Sequence, residues 1–191
     1  MAEVIYVRQK QALGLGHAVA CAAHWVGDEA FGVALADELI VSDVPAMQQL
    51  KNVHAVTGAS VIGLMRVSQA EVNRYGIVEA EKEDGLLRLR DMVEKPEPAN
   101  APSDLAIIGR YIFTPRLFDL LQEATPGKEG EIQLTDTVAR LAREEPVYGV
   151  LIEGRRFDAG HPLGFLMANV ALGLRHTEYG QAFATFLRGL P

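Results

Sequence analysis

Two aspartates stand where a cation could be held. Asp37 follows the apolar run Phe31-Gly-Val-Ala-Leu-Ala36, and Asp158 lies in Arg155-Arg-Phe-Asp-Ala-Gly160, just ahead of His161-Pro162. Both are expected at strand ends, and in open α/β sheets ligands collect at the carboxyl ends of strands. Mg2+ takes one or two carboxylates and fills the rest of its shell with water and phosphate oxygens. Two acids that meet could therefore share one ion; either could equally cap a turn or a helix. Lys95, in Glu94-Lys-Pro96, offers a compact ammonium suited to a phosphate, with a surface ion pair as the plainer role. Gly76, after Tyr75, and Gly109, before Arg110, fall at or within expected strands. Glycine there marks a bulge or the close approach of a ligand or backbone.

A second group lies near the start of the chain, in Gln9-Lys-Gln-Ala-Leu-Gly-Leu-Gly-His17. Gly14 and Gly16 suit a tight turn into a helix, or a backbone that comes within hydrogen-bonding distance of a flat ligand edge. Gln9 presents a carbonyl and an amide side by side, which is what reading a uracil or thymine edge requires. The two common phosphate loops, G-x-x-x-x-G-K-[ST] and a complete G-x-G-x-x-G, are both missing from the sequence.

Composition narrows the partners. The chain has 191 residues, 49% of them hydrophobic, and a net charge of −7. That length fits one domain, or one with a small appendage. The acidic balance argues against a nucleic-acid polymer or an anionic membrane surface, both of which need basic patches; a small anionic substrate needs only a few local cations. The single cysteine, Cys21, lies in an apolar run and cannot form an internal disulfide. A reducing, cytoplasmic setting is expected, with Cys21 as a small buried hydrophobe. No signal peptide is visible at the start. The apolar stretch Leu163–Leu174 is far shorter than the roughly 20 residues a membrane span needs. The five histidines (17, 24, 54, 161 and 176) show no zinc-site spacing with Cys or Glu.

The elements that must position these residues follow from pattern. Val4–Val7 reads as a strand, His17–Val26 as a buried helix and Phe31–Ala36 as a strand buried on both faces. Val44–Val56 reads as a helix and Ser60–Val67 as another buried strand, so the first third alternates as in an α/β fold with parallel strands. Ser68-Gln-Ala-Glu71 predicts a capping box for a short helix. Gly76–Glu81 and Leu86–Val93 predict a hairpin about Lys82-Glu-Asp-Gly85. Leu105–Phe113 predicts a strand. Thr114-Pro115 predicts a helix start with Thr as N-cap and Pro first in the helix. Glu131–Arg143 predicts a helix, Val147–Ile152 a strand and 156–160 a short extended piece. The stretch from Pro162 onward predicts two helices broken near Gly180. The whole chain is expected to form a single domain with residues 162–191 as C-terminal helices.

Taken in order, these pieces resemble the sugar-phosphate nucleotidylyltransferases, and within them the bacterial UTP–glucose-1-phosphate uridylyltransferase branch (UDP-glucose pyrophosphorylases). The resemblance is carried by VRQKQALGLGHAV (7–19), VGDEAFGVALADELI (26–40), NRYGIVE (73–79), MVEKP (92–96), SDLAIIGRYIF (103–113), GEIQLTDTV (130–138), FDAGHPLGFLMANV (157–170) and GLRHTEYGQAF (173–183). It implies a Rossmann-like mixed α/β sheet of the nucleotide-diphospho-sugar transferase type. It also implies uridylyl transfer from UTP to glucose 1-phosphate, giving UDP-glucose and pyrophosphate. By the same resemblance Gln9 and Gly14 read the base. Asp37 and Asp158 bind Mg2+ and, with Lys95 on the sugar phosphate, form the catalytic set. Gly76, Glu94 and Gly109 hold the sugar hydroxyls. Homo-oligomers are common in the family.

That family carries, before its base-reading loop, a strand and a G-x-G-T-R loop that holds the triphosphate. No such loop occurs in these 191 residues. The expectation is a fold lacking its N-terminal strands, impaired turnover, and self-association through apolar surface left open at Val4–Val7 and Phe31–Ala36. Two other readings stay open: a non-catalytic UDP-sugar-binding or subunit-association module, and a thymidylyltransferase acting on a related sugar phosphate.

Overall fold

The structure is a computed structural model that describes residues 3–127 and 130–191. It divides into two compact units. The first comprises residues up to Ala34 together with Ala46–Ile152; the second comprises Leu35–Pro45 and Glu153–Pro191.

The first unit is built on a six-stranded mixed sheet. Its strands are β1 (Phe31–Ala34), β3 (Ser60–Arg66), β4 (Gly76–Glu83), β5 (Leu86–Glu94), β6 (Leu105–Phe113) and β7 (Val147–Leu151), in the spatial order β1-β6-β3-β7-β5-β4, with β2 (Glu38–Val41) belonging to the second unit. Among the described residues only β3 and β7 pair in parallel. Alternation along β3 decides which layer each residue joins. Val61 faces α3 (Ala46–Thr57), where it packs with Leu50 and Ile112. Ile62 and Leu64 join the larger core with Tyr111 and Phe113, under α1 (Gly14–Ala20), α2 (Ala23–Val26), α4 (Arg116–Glu123) and α5 (Leu134–Glu144). Helices thus cover both faces of the sheet, as the α/β reading requires.

Three expectations are corrected here. Val4–Val7 forms no strand: Val4 is 66% exposed and Tyr6 94%, and an extended segment without a paired neighbour leaves its backbone to water. Phe31–Ala36 shortens to Phe31–Ala34, and it is an edge strand, antiparallel to β6, with alternating rather than continuous burial. Its apolar run reflects half-burial, with the Phe31 ring stacked 4.4 Å from Phe118. Thr114 does not cap α4. Its hydroxyl donates to Glu145 Oε1 at 2.6 Å, and Pro115 precedes the helix. The capping box at Ser68 forms in part. The Ser68 hydroxyl and backbone hold the Glu71 carboxyl below its ordinary range at the start of a 3-10 turn, Gln69–Arg74. The 76–94 hairpin forms as expected, with a bulge between Glu79 and Ala80.

The second unit is a two-stranded ribbon, β2 (Glu38–Val41) against β8 (Arg155–Asp158), with α6 (Pro162–Arg175) and α7 (Gly180–Arg188). The β2 strand is missing from the sequence reading because Asp37-Glu38 looks like a terminus. Its partner supplies what the residues lack: Arg156 forks onto Glu38 at 2.5 Å through Nε and Nη2. The break between the last two helices falls as expected, and Gly173 lets the Phe183 ring lie on α6. Among the described residues no helix is long and apolar enough to cross a membrane.

Leu64 is fully buried. Leu64→Ala is expected to lower stability by about 2–5 kcal/mol, measured as a fall in the urea midpoint without a change in slope.

Candidate functional site

The Gln9 side chain is held at two points. Its Nε2 donates to the Gly14 carbonyl at 3.1 Å and lies 2.9 Å from His17 Nδ1. Gly14 has φ +89, and a Cβ there would fall 2.9 Å from both Glu131 Cβ and the Ile132 carbonyl oxygen. Gly16 N–H donates to Ile132 O at 2.9 Å, while Ile132 N–H donates to Leu13 O at 2.8 Å. Both glycines are therefore required by the protein's own backbone at 131–132, whatever else the loop contacts. Val7, Arg8, Lys10, Gln11, His17 and Cys21 line an open cleft of about 410 Å³ beside this loop. Cys21 is half-buried at its wall.

The same unit gathers Gly76, Glu94 and Lys95. Gly76 faces Glu94 across the β4–β5 pair, and a Cβ on Gly76 would lie 3.2 Å from Glu94 Oε2. That oxygen accepts a 2.6 Å hydrogen bond from Thr135 Oγ1, which sets the plane of the carboxylate. Lys95 carries a left-handed backbone, φ +46, pinned by its N–H donating to Tyr75 O at 3.0 Å. Such a backbone costs a non-glycine residue roughly 1–2 kcal/mol. Its side chain is 64% exposed and its ammonium 3.9 Å from Glu94 Oε1, a contact too loose and too wet to account for that cost. Gly109, with φ +63, occupies a wide bulge where β6 slips past β3 between the pairs Ile62–Tyr111 and Leu64–Ile107.

The second unit brings Asp37 and Asp158 together. Antiparallel pairing sets Glu38 opposite Asp158, and Ala159 N–H donates to Asp37 O at 2.7 Å. The point where a Cβ of Gly160 would stand is 3.0 Å from Asp37 Oδ2 and 3.3 Å from Asp158 Oδ1. Two oxygens so close to one point can be no farther apart than those lengths laid end to end. Asp158 also does the plainer work expected of it, accepting from Gly160 N–H at 3.1 Å. Its carbonyl is covered by Gly164 of α6, where a Cβ would collide with it. Arg156, already paired with Glu38, has Nη2 3.8 Å from Asp158 Oδ2. Among the described residues no group of three or more His, Cys, Asp or Glu is arranged to hold a metal ion, so a metal here would have two carboxylates and take its remaining ligands from water or substrate. That is the donor set Mg2+ prefers.

A family model described as nucleotidyl transferase matches residues 2–173. The chain belongs to the nucleotidyl transferase family. It is 41% identical over 191 residues to a UTP–glucose-1-phosphate uridylyltransferase of Staphylococcus epidermidis, matching all of this chain and 66% of that protein. A UTP-bound UGPase from Acinetobacter baumannii superposes with a TM-score of 0.89 at 36% identity, covering 99% of this chain and 66% of that one. A UDP-glucose pyrophosphorylase complexed with UDP-glucose gives 0.85 at 38% identity, over 90% and 66%. The chain thus spans about two thirds of the length of the relatives it matches. The expected mixed α/β fold of this family is borne out.

Two residues of this nucleotidyl transferase, Thr135 and His17, stand beside the candidate groups without any signal from type or spacing alone. Thr135, which orients Glu94, sat inside what read as a helix beginning at Glu131; the helix begins at Leu134, and 131–133 is extended against the Gly14 loop. His17 has no zinc-site spacing with Cys or Glu and nothing else in its immediate sequence marks its contact with Gln9. Both lie in stretches that carry the family resemblance, EIQLTD and GLGH, which is the signal that could have found them.

Because Ala cannot relieve a left-handed φ and Gly can, Lys95→Gly is expected to be about 1 kcal/mol more stable than Lys95→Ala by thermal unfolding. Equal stabilities would show that the backbone there carries no strain.

Proposed function

We propose that the chain performs the uridylyl-transfer chemistry of its relatives: a phosphate oxygen of glucose 1-phosphate attacks the α-phosphorus of UTP, the α–β bridging bond breaks, and pyrophosphate leaves as UDP-glucose forms. The observation that carries the reading is the approach of Asp37 and Asp158 to one point over Gly160, from segments far apart in the chain. In this reading these two carboxylates hold Mg2+, which supplies charge neutralisation for the phosphates. Gln9 and the Gly14 backbone take the base, Gly76, Glu94 and Gly109 the sugar hydroxyls, and Lys95 the sugar phosphate. No covalent nucleophile is needed, since the acceptor is already an anion; positioning and charge neutralisation suffice. The strained backbone of Lys95 supports its role, because strain persists where function holds it.

A second reading, that of a UDP-sugar-binding module with little turnover, is favoured by the lack of G-x-G-T-R from the 191 residues. Charge stabilisation of a leaving group is commonly worth about 3–4 kcal/mol per donor. UDP-glucose formation by this chain alone is therefore expected to run at least about 100-fold below that of the longer relatives; comparable turnover would reject the impairment. Thymine presents the same imide edge as uracil, so a thymidylyl activity is tested in the same assay with dTTP.

The metal assignment has its own test. Asp37→Asn and Asp158→Asn are each expected to abolish the Mg2+ dependence of UDP-glucose binding in calorimetry. Gly160→Ala, which puts a methyl group where the two carboxylates converge, should weaken that dependence with the fold intact by circular dichroism. Retained Mg2+ dependence in either Asn variant would overturn the assignment.

A further inference from the structure

We infer that His17 is a positioning residue that decides which end of the Gln9 amide faces the base, and so makes the site selective for an imide. The inference rests on the base-reading role proposed above for Gln9 and goes one step beyond it.

The argument starts from donors and acceptors. The Gly14 carbonyl can only accept, so the atom of Gln9 that faces it at 3.1 Å must be the NH2 nitrogen. The same nitrogen lies 2.9 Å from His17 Nδ1. An amide nitrogen can only donate, so Nδ1 must be the bare, accepting nitrogen, and the proton of the neutral ring sits on Nε2. Both amide hydrogens of Gln9 are then taken up inside the protein. What remains for a ligand is the carbonyl oxygen, Oε1, a pure acceptor.

A pure acceptor selects the partner. With the sugar and phosphates anchored, Oε1 meets the base at N3. Uracil and thymine carry N3–H, a donor, and satisfy it. Cytosine carries a bare N3, and two lone pairs face each other; relief requires the amide to turn over. Turning it would set Oε1 against the Gly14 carbonyl and present it to a nitrogen that now carries no proton. His17 thus raises the cost of the turned state on top of what Gly14 imposes. The loop geometry supports this, since Leu13 and Gly16 are hydrogen-bonded to Ile132 and His17 follows directly in α1.

The Nδ1 atom of histidine and the Oδ1 atom of asparagine are both bonded to Cγ, so asparagine can offer an acceptor in the same place while leucine cannot. Binding of UDP-glucose and CDP-glucose to the 191-residue chain would be measured by calorimetry for the wild type, His17→Asn and His17→Leu, with thermal melts to check folding. One lost hydrogen bond of about 1 kcal/mol corresponds to roughly fivefold in affinity. The wild type is expected to favour UDP-glucose. His17→Leu should lose about fivefold or more of that preference, and His17→Asn should keep it to within about twofold. A preference unchanged in a folded His17→Leu, or lost equally in His17→Asn, overturns the role of His17 and leaves the base-reading role of Gln9 standing. A folded wild type that binds the two nucleotide sugars equally overturns the base-reading role itself, and the inference with it. Nitrogen NMR of the His17 ring gives a readout that packing alone would not produce: the inference expects the Nε2–H tautomer, and an Nδ1–H tautomer rejects it.

Discussion

The antiparallel pairing of Glu38–Val41 with Arg155–Asp158 is the constraint on which the proposed metal site depends. Neither strand has much claim to form alone. Each is four residues long, and a lone two-stranded ribbon is marginal in water. Side chains from both strands meet on one face and hold the register. Arg156 grips Glu38 from the diagonal position, and both are largely withdrawn from solvent, at 15% and 13% exposure. A slip by one residue would turn Asp158 to the opposite face. The α6 helix adds a second restraint, since Gly164 lies directly on the Asp158 carbonyl. An arginine, a glutamate and a glycine, none expected to touch substrate, decide where an aspartate points.

In the first unit a comparable part is played by the short extended segment Glu131–Gln133 and the turn of helix that follows. Ile132 exchanges backbone hydrogen bonds with Leu13 and Gly16, which sets the loop that carries Gly14 and His17. Three residues on, Thr135 orients the Glu94 carboxylate. One stretch of chain therefore supports both groups of residues assigned to ligand contact in this unit. Its backbone must be extended at one end and helical at the other, and that accounts for the polar, mixed character of EIQLTD. The glycines at 14 and 16 answer the same demand from the other side, because any Cβ there would meet Ile132 at van der Waals conflict.

Local departures from ideal geometry occur at several of the proposed contact residues, as they do in the β4–β5 hairpin. Lys95 has a positive φ although it is not glycine, Gly109 sits in a wide bulge of an otherwise regular strand, and Gly76 opens a strand beside Glu94. Bulges re-aim side chains and backbone where pairing would otherwise run on. The surrounding sheet makes this possible, with β3 and β6 buried along most of their length and cored by Ile62, Leu64 and Phe113. A scaffold this well packed can hold one or two unfavourable dihedrals without relaxing them.

Much of this was legible in the order of residues. The hairpin at 76–94, the strands at 60–66, 105–113 and 147–151, and the break before Gly180 follow from alternation and turn chemistry, which are local properties. The candidate residues were legible too, because carboxylates, a lysine and an amide beside glycines advertise their chemistry by type. Val4–Val7 failed because β-branched residues make a strand only when something pairs with them. Glu38–Val41 was missed because an acidic start hid a strand whose partner lies far along the chain. Sequence alone determined the α/β class, the family resemblance and the identity of the chemical groups, since each depends on residue type and short spacing. Only the tertiary structure decided that Asp37 meets Asp158, that Thr135 aims Glu94, and that the Gln9 amide lies against both Gly14 and His17, because such contacts are set by register and packing, which no local pattern encodes.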